Sequence, residues 1–278
     1  MWVGATNHAA TRALDGRENV DRKSELGEQQ PARTELVTSV GKALALLTAF
    51  DRATPIGVSE LARKTELSKA TAFRLLAILE QFRFVERVGK RYRLGTKMFE
   101  LGNQVAYCVP RSLREVAHPY LEELHVLSGE TAQLAVLEGF DVLYLDKVYG
   151  HNQARSPSHV GRRVPAHCAA LGKVLLAASP LDVIDRLLGE PLESLTPYTI
   201  VQPSAFLAEL DRIRADGVAF DREEASLGLV CVAAPVRNRR GVVVAAVSIS
   251  GASGRYDPAR FVGALRRAAE EIGQRLYT

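Results

Sequence analysis

The apolar positions that follow residue 38 recur at a helical period. From 40 to 50 they return every three or four residues, which predicts a first helix. A break containing Pro and Gly follows, and then a short helix for which Ser59 is the expected N-cap. Ser68 is the expected N-cap of a longer helix over Lys69–Gln81, with one apolar stripe and an outer face of small and basic residues.

The next segment changes from a helical to a two-residue period. Residues 84–88 and 91–94 form two short runs on either side of Gly89-Lys90, and in the second run Tyr92 and Leu94 alternate with Arg91 and Arg93, which predicts a hairpin. Two helices, a turn, a third helix and a basic hairpin are typical of a winged helix-turn-helix that reads DNA. The alternative from pattern alone is a small helical subdomain whose charged hairpin contacts another protein.

The remaining chain mixes helices and strands. Residues 98–127 are predicted to form the linker, because helical patterns run over 95–107 and 111–127 with a break at Pro110. Beyond them, apolar runs at 131–148 and 229–250 are each divided by a turn, which predicts two hairpins. A short strand is predicted at 218–221, and amphipathic helices lie between and after the hairpins. We therefore expect a second, α/β domain over 128–278.

Positive charge is concentrated in the first of these domains. Residues 1–34 carry five basic and five acidic side chains, and we interpret them as a flexible tail. Residues 35–103 carry 12 Lys and Arg against 7 Asp and Glu, whereas residues 104–278 carry 19 against 20. A local positive field of this kind suits a polyanion such as DNA.

Composition excludes several other classes of protein. The 278 residues are 47% hydrophobic and 24% charged, enough for two domains with their own cores. No apolar run is long enough to span a membrane, and the N-terminus lacks the apolar stretch of a secretory signal. The three cysteines have no CxxC spacing and the six histidines no metal-ligand spacing, so we expect a cytoplasmic protein without metal or cofactor.

Five sequence segments resemble one family of proteins. They are SVGKALALLTAF, GVSELARKTELSKATAFRLLAILEQFRFVERVGKRYRLGTKMFELG, VGRRVPAHCAALGKVLLA, FDREEASLGLVCVAAPV and VVAAVSISG. In order and spacing they are similar to the IclR-family transcriptional regulators, from residue 38 to the C-terminus.

The resemblance implies an α+β protein of two domains that acts as a ligand-responsive switch. An N-terminal winged helix-turn-helix would be joined by a linker helix to a GAF-like effector domain with an antiparallel sheet. The expected divisions are a tail (1–34), a DNA-binding domain (35–97), linker helices (98–127) and an effector domain (128–278). Family members act mostly as dimers or tetramers on pseudo-palindromic operators, many of them in catabolic operons, so we expect a homo-oligomeric repressor.

The family's recognition helix supplies contacts to bases and phosphates. Carried onto this chain, the resemblance assigns DNA contacts to Ser68, Lys69, Ala70, Thr71, Phe73 and Arg74. The predicted hairpin adds Arg87, Lys90 and Arg91, which would reach phosphates or the minor groove. Small residues let a helix approach the bases, and an arginine can bond guanine bidentately.

The effector pocket of family members that bind keto acids is carried over in the same way. It assigns effector contacts to Ala170, Leu171, Asp221, Cys231, Ser248 and Ser250. Backbone N–H groups at a helix start suit a carboxylate, and serines two apart on a strand face one side. Some relatives have Gly-Ala at the helix start. The bulkier pair here indicates a small organic or aromatic acid larger than the smallest acids.

Two other functions are weighed beside this one. A Cys/His hydrolase would use Cys231 or Cys168 as nucleophile and His167 as base, but the sequence has no GxSxG, HExxH, Walker or GxGxxG motif. A sensor that uses its winged helix for protein contacts is disfavoured by the basic hairpin. We therefore expect a regulator and not an enzyme.

Overall fold

The computed structural model describes residues 38–50, 54–109, 111–150 and 158–276. The tail predicted at 1–34 and the helix break predicted at Pro110 lie outside the described residues. No helix within the described ranges is both long enough and apolar enough to cross a membrane.

The helices lie in the predicted order. They are α1 (Ser39–Thr48), α2 (Val58–Lys64), α3 (Lys69–Gln81), α4 (Thr96–Gly102), α5 (Leu113–Ser128), α6 (Ala170–Ala177), α7 (Leu181–Leu188), α8 (Pro203–Asp216) and α9 (Val262–Arg275). Short 3₁₀ turns at Ala166–Cys168 and Pro258–Phe261 precede α6 and α9.

The strands include two that the sequence pattern did not predict. They are β1 (Ile56–Gly57), β2 (Val85–Val88), β3 (Arg91–Leu94), β4 (Thr131–Glu138), β5 (Asp141–Val148), β6 (Arg163–Pro165), β7 (Ala219–Arg222), β8 (Leu229–Arg237) and β9 (Val243–Ala252). Strands β1 and β6 have two and three residues, too few to show a period.

The N-terminal domain is a winged helix-turn-helix. Helices α1–α3 enclose a small apolar core, and β1, β3 and β2 form an antiparallel sheet in that order. Gly89, at φ 62°, begins the two-residue turn of the wing, where a positive φ favours glycine. The cap predicted for α2 was wrong: β1 leads directly into the helix, so Gly57 and not Ser59 is the N-cap.

The C-terminal domain is a three-layer, GAF-like unit. Its described strands form an antiparallel sheet in the order β6-β5-β4-β9-β8-β7. Helices α6, α7 and α8 cover one face, and α5 and α9 cover the other. Side chains alternate along β8, so that Cys231 and Ala233 join the first layer while Val232 and Ala234 join the second. The α+β class and the two-domain architecture are confirmed.

The connection between the domains runs through α4 and α5. Helix α4 ends at Gly102, earlier than the predicted end at 107, and the Asn103 side chain donates to the carbonyl of Phe99 at 2.8 Å there. Tyr107 donates from its hydroxyl to the Glu138 carboxylate at 3.2 Å. The linker is thereby bonded to the end of β4 in the C-terminal domain.

Candidate DNA-binding surface and effector pocket

Helix α3 presents the predicted DNA contacts on its outer face. Ser68 caps the helix, because its hydroxyl accepts the N–H of Thr71 at 3.1 Å. The apolar stripe of the helix is buried, and this turns Lys69, Ala70 and Arg74 toward solvent. Of the six predicted contacts on this helix and its cap, Thr71 is half-buried and the other five are exposed.

Phe73 lies on the same outer face and not beneath the wing. Its side chain is 51% exposed, although a residue of this size gains most when it is buried. An exposed aromatic ring between Lys69 and Arg74 is available for contact with a partner. The outer face of α3 therefore combines two cations, a small residue and a ring.

The arginines of the wing differ in how they are held. Arg87 donates to the carbonyl of Gly89 at 3.1 Å, and Arg91 to that of Pro55 at 3.2 Å. Both guanidiniums keep further donors for a phosphate. Arg93 donates twice to the Glu86 carboxylate, at 2.9 and 2.7 Å, so its charge is neutralised locally. Lys90, at the tip of the wing, is exposed.

A small cavity lies between the sheet and the start of α6. Five of the six predicted effector contacts line it: Ala170, Leu171, Asp221, Cys231 and Ser248. Ser250 lies two residues farther along β9, on the same face, and is outside this lining. The remaining wall comes from Gln133, Tyr144, Ser158, Ala169, Ala225 and Leu229.

Strand register brings these distant residues side by side. Asp221 pairs with Cys231, and Cys231 pairs with Ser250. In the next row, Ser248 pairs with Gln133. Paired residues of neighbouring strands share a face of the sheet. The floor of the cavity is therefore a polar patch in a sheet that is otherwise mostly apolar.

The first turn of α6 supplies backbone N–H groups to the cavity wall. Ala169 is the N-cap and offers no side-chain acceptor, so no side chain caps this helix start. Gly172 permits α6 to lie close to the preceding 3₁₀ turn, because a Cβ at that position would overlap the carbonyl oxygen of Ala166. Uncapped N–H groups and the positive end of the helix dipole can bind a carboxylate.

Asp221 is the main ionisable group of the cavity. Its side chain is 1% exposed and accepts backbone N–H groups from Glu224 at 2.7 Å and Ala225 at 3.4 Å. The Cys231 thiol lies 3.8 Å from its second oxygen. Burial and the charge of Glu224 raise the pKa of Asp221 to about 7, against the opposing effect of those N–H groups and Lys173.

A buried ion pair supports the cavity from behind. The Lys173 side chain is fully buried, and its ammonium lies 2.7 Å from Glu224 and 3.2 Å from Glu209. Glu209 is also paired with Arg212 at 2.8 Å. Lys173 thus connects α6, α8 and the loop that follows Asp221. The buried lysine was not among the predicted site residues.

The groups that a Cys/His hydrolase would need are held in other interactions. His167 places Nε2 2.8 Å from the carbonyl oxygen of Glu193 and packs edge-on against Phe206. Burial and the charge of Asp221 raise the pKa of Cys168 to about 12 and that of Cys231 well above its ordinary value. Both thiols are therefore protonated near neutral pH and poor nucleophiles.

The cavity has a polar wall facing α6 that the sequence pattern did not predict. Gln133 donates to the Ser158 hydroxyl at 2.8 Å, and Ser248 donates to the Gln133 carbonyl oxygen at 3.2 Å. Lys147 donates to the carbonyl of Ser158 at 2.7 Å and to its hydroxyl at 3.1 Å. The available signal was a glutamine among the apolar residues in the middle of β4, because glutamine is unusual at a buried position.

Comparison with protein families identifies both domains. Residues 39–89 match the family model described as the IclR helix-turn-helix domain. Residues 105–274 match the model described as the bacterial transcriptional regulator IclR C-terminal domain.

Individual proteins extend this similarity over most of the chain. The HTH-type transcriptional regulator KdgR of Escherichia coli is 34% identical over 90% of this chain and 95% of its own. The HTH-type transcriptional repressor AllR of Klebsiella pneumoniae is 32% identical over 87% and 90%. A crystal structure of an IclR homolog from Microbacterium hydrocarbonoxydans, complexed with 4-hydroxybenzoate, is 28% identical with a TM-score of 0.78, over 86% of this chain and 99% of that one.

Proposed function

Since this chain belongs to the IclR family of bacterial transcriptional regulators, we propose that it represses a catabolic operon from a pseudo-palindromic DNA operator. It binds this operator as a homo-oligomer in the cytoplasm, and a small organic or aromatic acid in the cavity beside α6 changes its affinity for DNA. We propose repression as the direction of control because the relative AllR is named as a repressor.

The observation that carries the DNA-binding role is the exposed outer face of α3 beside a basic wing. Ser68, Lys69 and Arg74 are exposed at the N-cap and in the N-terminal half of this helix. Ser68 donates a hydrogen bond to a DNA phosphate, Lys69 places a positive charge beside the DNA backbone, and Arg74 donates two hydrogen bonds to a guanine. Lys90, Arg87 and Arg91 extend the positive surface to flanking phosphates or the minor groove.

An acid effector is supported by the chemistry of the cavity. The uncapped start of α6 offers N–H groups for a carboxylate, and Ser248 and Gln133 offer hydrogen bonds for a second polar group. A structural relative is named as a complex with 4-hydroxybenzoate, an aromatic acid. We assign effector contact to Ala170, Leu171, Asp221, Cys231, Ser248 and Ser250.

Homo-oligomerisation is supported by exposed apolar side chains near the wing domain. Val40 and Leu44, four residues apart on α1, are 69% and 57% exposed, and Phe99 on α4 is 76% exposed. A second copy of the chain is the partner that we propose covers these side chains. Two recognition helices would then meet half-sites about 34–36 Å apart, or a multiple of that distance. Sedimentation of the full chain should give a dimer or a dimer of dimers.

Fluorescence anisotropy with labelled DNA from upstream of the gene tests the DNA-binding role. We expect saturable binding that survives competitor DNA and weakens steeply with salt. Arg74→Ala should weaken operator binding by about 1–3 kcal/mol and relax sequence preference. Arg186→Ala is the matched control, because it removes an arginine that is 59% exposed on α7 in the other domain.

The outcomes separate the parts of the proposal. Unchanged operator affinity and sequence preference in Arg74→Ala would remove the assigned role of α3. Weak and equal binding of all sequences, with or without keto, hydroxy and aromatic acids, would contradict specific regulation. Calorimetry with the same acids tests the effector separately from DNA.

A further inference from the structure

The cavity contains a carboxylate that no cation neutralises directly. Among its described lining residues, Asp221 is the group that carries charge near neutral pH. Its hydrogen bonds come from the backbone N–H groups of Glu224 and Ala225 and from the Cys231 thiol. These donors can bond either an ionised or a protonated carboxyl.

The charged groups around Asp221 leave it in a negative environment. Glu224, three residues away, adds a second carboxylate, and Lys173 on α6 is held between Glu224 and Glu209. Arg212 on α8 is paired with Glu209. On the facing elements, Tyr144 of β5, Cys168 of the 3₁₀ turn and Cys231 of β8 are neutral, because burial raises the pKa of all three.

An acidic effector brings one more carboxylate into this enclosed space. Two neighbouring carboxylates shielded from water cannot both ionise without a large electrostatic cost. We propose that the acid effector binds together with one proton, which Asp221 takes up from solvent and returns when the effector leaves. The protonated Asp221 then donates a hydrogen bond to the effector, while the N–H groups of Ala170 and Leu171 hold the effector carboxylate. The inference rests on the acid effector of the proposed function.

The surroundings of Asp221 make the free-energy cost of protonating it small near neutral pH. Burial and Glu224 already raise its pKa to about 7, and a bound anion raises it further. A group whose pKa rises on binding gives tighter binding as pH falls. Affinity should therefore increase about tenfold per pH unit as pH falls toward the pKa of the free protein, and should level off below it.

Lys147 is the other group that could take up a proton. It lies opposite Gln133 in the sheet, and its ammonium bonds to Ser158 on the cavity wall. Burial lowers its pKa to about 8, so a bound anion would raise the pKa of this group as well. An experiment must therefore distinguish Asp221 from Lys147.

Titration calorimetry of the full chain with pyruvate, lactate and 4-hydroxybenzoate provides the test. Measurements from about pH 6 to about pH 8.5, in phosphate and in Tris, give the affinity and the protons taken up per acid bound. We expect uptake to approach one proton at the alkaline end and to vanish at the acidic end. Phosphate and Tris absorb very different heats when they give up a proton, so the difference between the two buffers reports the proton uptake of the wild-type protein.

Two variants assign the proton to its residue. Asp221→Asn keeps an oxygen acceptor for the N–H of Glu224 but cannot titrate, so uptake and pH dependence should disappear. Lys147→Met should keep both. Circular dichroism of each variant checks that it is folded.

The outcomes also separate this inference from the proposed function. Acid binding without proton uptake in the wild-type protein overturns the inference and leaves the regulator intact. Uptake that persists in Asp221→Asn and disappears in Lys147→Met assigns the proton to the lysine and also overturns it. Failure of all three acids to bind at about pH 6 contradicts the acid effector itself, and the inference with it.

Discussion

Gly172 determines how closely α6 approaches the 3₁₀ turn that precedes it. A Cβ at this position would overlap backbone atoms of Ala166, which belong to a fully buried residue. Backbone atoms cannot rotate away as the end of a long side chain can, so the helix start would have to move. Because Ala170 and Leu171 lie in that first turn, the geometry of the cavity depends on this glycine.

Gly172→Ala should therefore destabilise the effector domain and weaken acid binding. Overpacking of a close contact costs about 1–3 kcal/mol, which urea unfolding can measure. Gly263→Ala is the matched control: Gly263 lies on the exposed side of α9, and its Cβ would meet only the Arg267 guanidinium at 3.7 Å. The control should be neutral or slightly stabilising. Equal stability of the two variants would contradict the role given to Gly172.

The roles of some residues could be predicted from the sequence, whereas those of others depend on contacts between distant segments. Ser68 was predictable as a cap, because its hydroxyl acts on an N–H three residues away. The contact between Ser248 and Gln133 joins residues 115 positions apart and depends on the register of β4 and β9. Periodicity gives the face of a strand but not its partner. The polar wall of the cavity could therefore not be predicted from the sequence pattern.

Helix α6 is bonded to two other elements by the buried Lys173. Its ammonium contacts Glu224 in the loop after β7 and Glu209 on α8. That loop also includes Glu223, at φ 66°, a conformation that residues other than glycine seldom adopt. The ion pair and the neighbouring backbone bonds hold Glu224 and Asp221 in place, which fixes one wall of the cavity against the helix.

Lys173→Met should destabilise the protein far more than the loss of a surface ion pair. A buried carboxylate left without its partner costs about 3–5 kcal/mol in the free energy of unfolding. The double variant Lys173→Met/Glu224→Gln removes that unpaired charge and should recover part of the loss. Urea unfolding of the wild type, both single variants and the double variant measures the coupling. Additive losses would show that the pair does not act as a unit.

The wing carries one arginine whose charge is locally neutralised. Arg93 of β3 is paired with Glu86 of β2 at 2.7 Å, and their side chains are 54% and 35% exposed. Exposed pairs contribute only about 0–1 kcal/mol to stability. The pair therefore has more effect on the electrostatic field of the wing than on its folding.

Glu86→Gln should release Arg93 for phosphate contact. We expect tighter binding of unrelated DNA and a plot of log affinity against log salt that is steeper by about one unit. Asp182→Asn is the control, because it releases the exposed Arg186 of the other domain. A steeper slope in both variants would indicate an effect of net charge and not of the wing.

At the scale of the whole molecule, the sequence predicted the two domains and their charges better than the connection between them. The order of helices and hairpins and the positive charge of the first domain were visible in local patterns. The two shortest strands, β1 and β6, were not visible in local patterns. Each lies at the edge of its sheet because it pairs with a distant strand, β3 and β5 respectively. The linker contact was missed for the same reason: it joins residues 31 positions apart.

We propose that this contact is a route by which the proposed effector influences DNA binding. Tyr107, after α4, bonds to Glu138 at the end of β4, and β4 also carries Gln133 of the cavity wall. Burial and Glu138 raise the pKa of the Tyr107 phenol, so its hydroxyl stays protonated and donates near neutral pH. A shift of β4 on effector binding can thus reach the linker and change the spacing of two recognition helices.

Tyr107→Phe should reduce the change in operator affinity that the effector causes. It should have a smaller effect on the affinity for DNA alone or for effector alone. Allosteric coupling of about 1–3 kcal/mol corresponds to a 5–150-fold change in operator affinity, and loss of one linker hydrogen bond should remove a measurable part of it. DNA anisotropy with and without a saturating acid measures this factor. Tyr198→Phe, a change at a side chain that is 61% exposed, is the control. If Tyr107→Phe keeps the full factor, the coupling must pass through other contacts between the linker and the sheet, such as the packing of α5 on β4 and β5.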